Sequence, residues 1–266
     1  MVTGASRGIG RSIALRAARD GANVAILAKT DKPHPKLPGT IHSVAAEVEA
    51  AGGAALPIAV DLRDAGRIEA AVARVVETFG ALDVLVNNAG AIRLTGTLET
   101  PVERFDLLWG VNARATFACS RACLPHLRRA ANPHVLTLSP PISLDPRWLA
   151  PHGAYTLSKY GMSLLVLGMA AEFAPDGVAF NALWPRTVIA TAALSMLGGL
   201  VGPESCRSPE IVSDAAHAIV TRDSRSFTGR LVLDEEVLAE EGVRDFERYR
   251  IDPKTALATD LFVAEE

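Results

Sequence analysis

The spacing of apolar positions alternates between two periods along the chain. Short apolar runs fall at Asn23-Val-Ala-Ile-Leu-Ala, 54–60, Leu82-Asp-Val-Leu-Val, Val135-Leu-Thr-Leu, 178–183 and 227–233. Nearly unbroken runs of this length fit strands buried on both faces, as parallel sheets require. Between them, longer stretches place apolar residues three and four apart, the spacing of one helical face. These predict a helix carrying Ile9, Ile13, Ala14 and Ala17, then helices over 41–51, 64–79, 101–130, 152–174 and 209–220. With a first strand at the amino end, seven strands alternate with helices, which specifies an α/β fold. The expected form is a doubly wound, mostly parallel seven-stranded sheet with helices on both faces. Only Met1 and Val2 precede Thr3, against a usual strand of about five residues, so the first strand is expected to be truncated and stability lowered.

The segment Thr3-Gly-Ala-Ser-Arg-Gly-Ile-Gly10 joins that first strand to the first helix. Gly4, Gly8 and Gly10 permit a tight turn, with Ser6, Arg7 and Ile9 between them. A pyrophosphate can then approach backbone amides at the positive end of the helix. This is the dinucleotide cradle of a Rossmann fold. The second strand ends at Lys29-Thr30, where a carboxylate normally binds an adenosine 2′-hydroxyl. A cation there suits a 2′-phosphate, and Arg7 supplies a second, so NADP(H) is favoured over NAD(H). Asp61 ends the third strand and is suited to bracket the adenine edge. Asn87-Asn88-Ala89-Gly90 ends the fourth. Both lie where open parallel sheets bind ligands.

Tyr155 and Lys159 stand four apart at the start of the helix over 152–174, so they share a face. A phenol has a reference pKa near ~10, and a nearby ammonium favours its ionised form. That pairing suits proton transfer at a substrate oxygen.

In order and spacing, the glycine loop, Asn87-Asn-Ala-Gly90, Asn112 and Tyr155 with Lys159 resemble the short-chain dehydrogenase/reductase superfamily over nearly the whole chain. Within it, the sequence is similar to the hydroxysteroid dehydrogenase-like protein 2 group, through Ala28-Lys-Thr, Pro33-His-Pro-Lys, Leu138-Ser-Pro-Pro and Asn181-Ala-Leu-Trp-Pro-Arg-Thr. The resemblance implies that Tyr155 exchanges a proton with the substrate oxygen while a nicotinamide exchanges a hydride with its carbon. Lys159 would bind the nicotinamide ribose and lower the phenol's pKa. Asn112 would hold a relay water, although it also reads as a residue capping a kink near Gly110. Asn88, Ala89, Gly90 and Val188 match positions that contact the cofactor. It also implies a homodimer or homotetramer paired through the helices over 101–130 and 152–174.

Two departures from the pattern stand out. Pro140 occupies the place of the serine that usually hydrogen-bonds the substrate carbonyl, and proline has no donor. Ser139, one residue early, and Ser143 are the candidate replacements. Otherwise a water serves, or turnover is weak. Arg186 replaces a glycine and either meets a phosphate or acidic substrate group, or reaches solvent. Residues 190–207 mix glycine with apolar side chains and read as a substrate lid. Trp148, Leu149, Trp184 and Met196 are candidate pocket walls, which points to a lipid, steroid or aromatic carbonyl or alcohol. His152 reads as helix entry or pocket rim.

Composition bounds the remainder. With 266 residues, 49% of them hydrophobic, the chain suffices for one domain spanning 1–266. A net charge of −3 with no Lys/Arg run argues against nucleic acid as a partner. With no membrane-length apolar run, secretory leader or peroxisomal tripeptide, a cytoplasmic protein is expected. Cys119, Cys123 and Cys206 fit a reducing compartment. No metal site is expected, since nothing completes a ligand set around Cys119 and Cys123. The alternative to an enzyme is a dinucleotide-binding redox sensor or scaffold, its chemistry faint because of Pro140.

Overall fold

The computed structural model describes residues 1–264 except 36, 198 and 200, and omits the side chains of 195–197. Its elements alternate as the apolar periods predict. They run β1 (Val2–Thr3), α1 (Gly8–Ala18), β2 (Val24–Ala28), α2 (Ile41–Ala50), β3 (Ala55–Ala59), α3 (Ala65–Phe79) and β4 (Val84–Asn87). The second half contains α4 (Val102–Trp109), α5 (Ala115–Leu127), β5 (His134–Leu138), α6 (Pro146–Leu149), α7 (Gly153–Glu172), β6 (Ala179–Trp184), α8 (Glu210–Thr221), β7 (Arg230–Leu233) and α9 (Asp234–Glu240).

The seven strands form one sheet in the order β3-β2-β1-β4-β5-β6-β7, and every pairing is parallel. The order in which strands are added reverses at β1 and β4: the chain builds outward to β3 on one side, then returns and builds outward to β7 on the other. The loops beyond the carboxyl ends of β1 and β4 therefore diverge and leave a crevice. Two apolar layers bury the two sheet faces. One joins α1, α2 and α8 through Ile13, Val44 and Ile219; the other joins α3, α5 and α7 through Ile68, Leu127 and Val166. The edge strand β3 tolerates Pro57 because one side of an edge needs no ladder donor.

The short first strand is borne out: β1 has two residues and pairs with β4 only at Val2. Below it, a cavity of about 410 Å³ opens between β2 and β4, lined by Met1, Val24, Phe79, Leu82 and Val84 among others. The helix expected over 101–130 is divided. A π-helical turn at Gly110–Arg114 separates α4 from α5. Such a turn widens the backbone by one residue and commonly marks a functional position. No described helix is long and apolar enough to cross a membrane.

Candidate active site

The crevice floor is built by glycines that nothing larger can replace. Gly4 and Gly8 have φ of 65° and 58°, the left-handed region that favours glycine. A Cβ on Gly4 would lie 2.7 Å from Ala89 Cα, and one on Gly10 would lie 2.4 Å from Asn88 Nδ2 and 2.8 Å from the Gly4 carbonyl oxygen. The loop thus packs directly on the end of β4. Asn88 ties the two together, its Nδ2 donating to the carbonyls of Thr3 (2.8 Å) and Gly4 (3.2 Å). Thr3 completes the joint: its hydroxyl donates to the Val86 carbonyl and accepts the amides of Asn88 and Ala89. Nothing in the sequence pattern singled out Thr3 beyond its place at the head of the motif. No side chain caps the first turn of α1, which leaves its leading amides available to an anion.

Around this cradle runs a cavity of about 690 Å³, lined by Gly4, Ser6, Arg7, Gly8, Ile9, Lys29, Asp61, Asn88, Ala89 and Gly90, as expected for a dinucleotide. Sequence reasoning missed Thr30, Ile92, Leu107, Val111 and Thr191, which also line it. Thr191 touches the cradle from the far side, with Cγ2 3.4 Å from where a Gly8 Cβ would stand. At one end, Arg7 donates to the carbonyls of Pro38 and Gly39 and to the Thr30 hydroxyl, stitching the loop after β2 to the cradle. Lys29 lies 3.3 Å from Asp61, and Arg63 grips the same carboxylate at 2.6 Å. These hydrogen bonds, Arg63 foremost, hold the Asp61 carboxyl far below the usual range. Asp61 is therefore a fixed anion that partly neutralises Lys29, while the Lys29 ammonium stays largely exposed.

At the other end, α7 presents Tyr155 and Lys159 as their spacing predicts, and both are buried. Lys159 Nζ donates to the Leu138 carbonyl at 2.8 Å and sits 5.1 Å from the centre of the Trp184 ring. Gly90 marks where the cavity meets this group, since a Cβ there would lie 3.5 Å from Asn112 Oδ1 and 3.7 Å from Lys159 Nζ. Asn112 lies in the π turn and clamps both neighbours. Its Oδ1 accepts the Ala91 amide (2.8 Å), and its Nδ2 donates to the Ala91 carbonyl (3.0 Å) and the Ser158 hydroxyl (2.8 Å). Of the two serines near Pro140, Ser143 Oγ accepts the Asp145 amide at 3.3 Å. Ser139 Oγ is fully buried without a described partner.

Several expectations need correction. Tyr155 and Lys159 do not open onto the cavity, because the segment 258–263 lies over them. Its Asp260 and Phe262 are packed against α7 and β6, and Phe262 is 6.1 Å from Tyr155, ring centre to ring centre. Lys159 does not lower the phenol's pKa in this arrangement. Burial, aided by the Asp260 charge, pushes Tyr155 well above its ordinary value. Burial also brings Lys159 down to about 8, with Asp260 opposing, and raises Asp260 to about 7. Val188 does not line the cavity: its amide donates to the Ala258 carbonyl (2.9 Å) and its carbonyl accepts the Arg207 amide (3.0 Å). Arg186 is partly exposed and pairs with Glu235 (3.1 Å) and Glu236 (3.5 Å) of α9. Beneath it the buried Asp234 carboxylate accepts the Arg186 and Glu235 amides.

The proposed pocket walls separate. Trp148 and Trp184 join an aromatic cluster around Phe262, Leu149 is exposed, and the side chain of Met196 lies outside the described residues. Within 190–207, a 3-10 turn at Ala192–Leu197 is closed at its base by Ala190 donating to Arg207. Cys119 and Cys123 are core residues; burial pushes the Cys119 thiol up to about 12.

A glycine cradle at the divergence of β1 and β4, opening into a crevice beyond the carboxyl ends of the strands, is the architecture of a dinucleotide-binding α/β fold. The short chain dehydrogenase family model matches residues 1–197. The chain belongs to the short-chain dehydrogenase/reductase family. It is 56% identical over 262 residues to hydroxysteroid dehydrogenase-like protein 2 of Danio rerio and 53% identical over 264 residues to that of Homo sapiens. These alignments cover 98% and 99% of the chain but 63% of each relative, so the chain spans less than two thirds of their length. Among solved structures, a putative dehydrogenase from Xanthomonas campestris is 60% identical, with TM-score 0.97 over 99% of this chain and 96% of that one. A metagenomic short-chain oxidoreductase in complex with NADP is 30% identical, with TM-score 0.71 over 87% of this chain and 94% of that one.

Proposed function

We propose that the chain is an NADP(H)-dependent oxidoreductase that interconverts a carbonyl and an alcohol of apolar character, with Tyr155 as general acid/base. The observation that carries this reading is that Gly90, in the wall of the crevice, lies against Asn112 and against Lys159 on the helix that also bears Tyr155, while the other end of the crevice is a glycine cradle flanked by Arg7 and Lys29. The uncapped amides of α1 with Ser6 and Ile9 would take the pyrophosphate. Arg7 and Lys29 would face the 2′-phosphate, and Asp61 the adenine edge. Asn88, Ala89 and Gly90 would border the remaining cofactor. A bound nicotinamide supplies or accepts the hydride. Tyr155 gives a proton to the carbonyl oxygen in reduction and takes it back in oxidation. With the segment 258–263 displaced, the Lys159 ammonium would be free to stabilise the phenolate and to hold the ribose. Asn112 fixes the loop after β4 against α7, and is placed to anchor a relay water. With proline at 140, the buried Ser139 hydroxyl or Ser143 is the group left to steady the carbonyl.

Free buried thiols at Cys119, Cys123 and Cys206 support a cytoplasmic location. Exposed apolar residues Trp109, Phe117, Leu157 and Leu164 on α4, α5 and α7 support pairing of two or four copies through those helices.

The test is NADPH oxidation with aldehydes, ketones and quinones, alongside Tyr155→Phe. Loss of general acid/base catalysis should cost about 10²- to 10⁴-fold in kcat. The rival reading, a redox sensor or scaffold, is favoured by Pro140 and by the cover over Tyr155. Tight NADPH binding with no turnover on any carbonyl would decide for it.

A further inference from the structure

The segment over Tyr155 is held by few bonds and carries one strained residue. Ala258 donates to the Ser205 carbonyl (2.9 Å) and accepts from Val188, Asp260 donates to the Arg186 carbonyl (3.0 Å), and Trp184 Nε1 donates to the Leu261 carbonyl (2.8 Å). Phe262 follows with φ of 69°, left-handed and unfavourable for a residue with a Cβ. Its ring is inserted among five others. The centroids of Tyr160, Trp148, Trp184, His152 and Tyr155 lie 5.4, 5.9, 5.9, 6.0 and 6.1 Å away, tilted or edge-on. Such distances and tilts are those aromatic pairs prefer. Burial of the ring offsets the backbone strain.

The cage is imperfectly matched by a phenyl group. His152 is 94% buried, and its Nε2 has no hydrogen-bond partner among the described residues. A buried ring nitrogen without a partner is costly, and a hydrocarbon ring cannot satisfy it. The same cage contains the Tyr155 ring, whose hydroxyl is the proposed acid/base. A ligand that filled the cage with an aromatic ring, bonded His152 through a polar substituent and presented a carbonyl to Tyr155 would satisfy all three walls.

We propose that this five-ring cage is the substrate subsite, that it takes an aromatic carbonyl or alcohol bearing a polar substituent, and that Phe262 is an internal occupant the substrate displaces. This rests on the oxidoreductase reading and narrows its substrate class. In the forward direction, NADPH and a proton convert the aryl aldehyde to the aryl alcohol and NADP⁺.

The probes are 6-hydroxy-2-naphthaldehyde and hexanal, with the full chain loaded with NADPH or NADP⁺. In the unaltered protein, saturating 6-hydroxy-2-naphthaldehyde should speed hydrogen exchange at the Ala258 and Asp260 amides, and hexanal should not. Phe262→Ala should tighten 6-hydroxy-2-naphthaldehyde binding, read from quenching of Trp148 and Trp184 fluorescence, by about tenfold. Weaker binding in Phe262→Ala would make Phe262 a fixed wall and overturn the proposal. So would unchanged exchange under saturating probe, or no naphthaldehyde binding below millimolar concentration. Should the variant fail to fold, the exchange measurement on the unaltered protein decides alone. Neither readout needs turnover, so absence of NADPH oxidation would remove the enzymatic reading while leaving the subsite to stand or fall by itself.

Discussion

Replacing Asp260 with asparagine isolates the charge buried beside Lys159. Burial raises the Asp260 carboxyl from 3.8 to about 7. The folded protein therefore binds a proton that the unfolded chain releases between those values, and stability from this group is lost as pH rises toward 7. From pH 5 to pH 7 the loss amounts to two pH units, or about 2.7 kcal/mol as a ceiling, at 1.36 kcal/mol per unit. Asparagine copies the protonated acid, and its side-chain oxygen can still accept the Leu261 amide that Asp260 accepts at 2.6 Å. The opposing loss is a partner for Lys159, whose pKa should then fall further below about 8. Urea unfolding of both proteins at pH 5 and pH 8, without cofactor, reads the difference. Asp260→Asn should gain on the parent by about 1–3 kcal/mol between the two pH values. An equal destabilisation at both would mean that Asp260 is solvated, and the closed arrangement over Tyr155 would lose its electrostatic account.

Other perturbations follow from the same geometry. Gly10→Ala forces a Cβ against Asn88 and the Gly4 carbonyl; NADPH affinity, measured by fluorescence titration, should drop at least about tenfold, or about 1.4 kcal/mol. Lys29→Ala should weaken NADPH by about tenfold and leave NADH nearly unchanged, and equal effects on both would refute the 2′-phosphate assignment. Asn112→Ala removes two hydrogen bonds to Ala91 in the loop after β4 and one to Ser158 of α7; thermal denaturation should show a loss of about 1–3 kcal/mol, with NADPH affinity reduced alongside. Three or four apolar residues added ahead of Met1 should pair between β2 and β4, fill the 410 Å³ cavity and raise Tm by several degrees. No rise would mean that the cavity does not weaken the fold.

What the sequence made legible was local. The cradle from Thr3 to Gly10 and the Tyr155–Lys159 pair lie within single turns, so residue type and spacing determine their geometry. The strand ends at Lys29, Asp61 and Gly90 followed once the parallel order was read, because that topology brings them to one crevice. The cover on the site was not legible. Phe262 belongs to Asp260-Leu-Phe-Val, which has no period, and its cage comes from residues scattered from Trp148 to Trp184. Arg186 gave no sign of its partners because Glu235 and Glu236 come from a helix that follows β7. The π turn escaped for another reason. A π turn needs no proline to form, and Gly110-Val-Asn-Ala-Arg contains no residue that forbids ordinary α geometry.

The joint at Thr3 and Asn88 has a mechanical consequence. A single hydroxyl and a single carboxamide rivet β1, the glycine loop and the end of β4 to one another. The glycine loop and the end of β4 therefore form one stiff plate that cannot hinge at its midline. Whatever admits and releases ligands must happen at the rim.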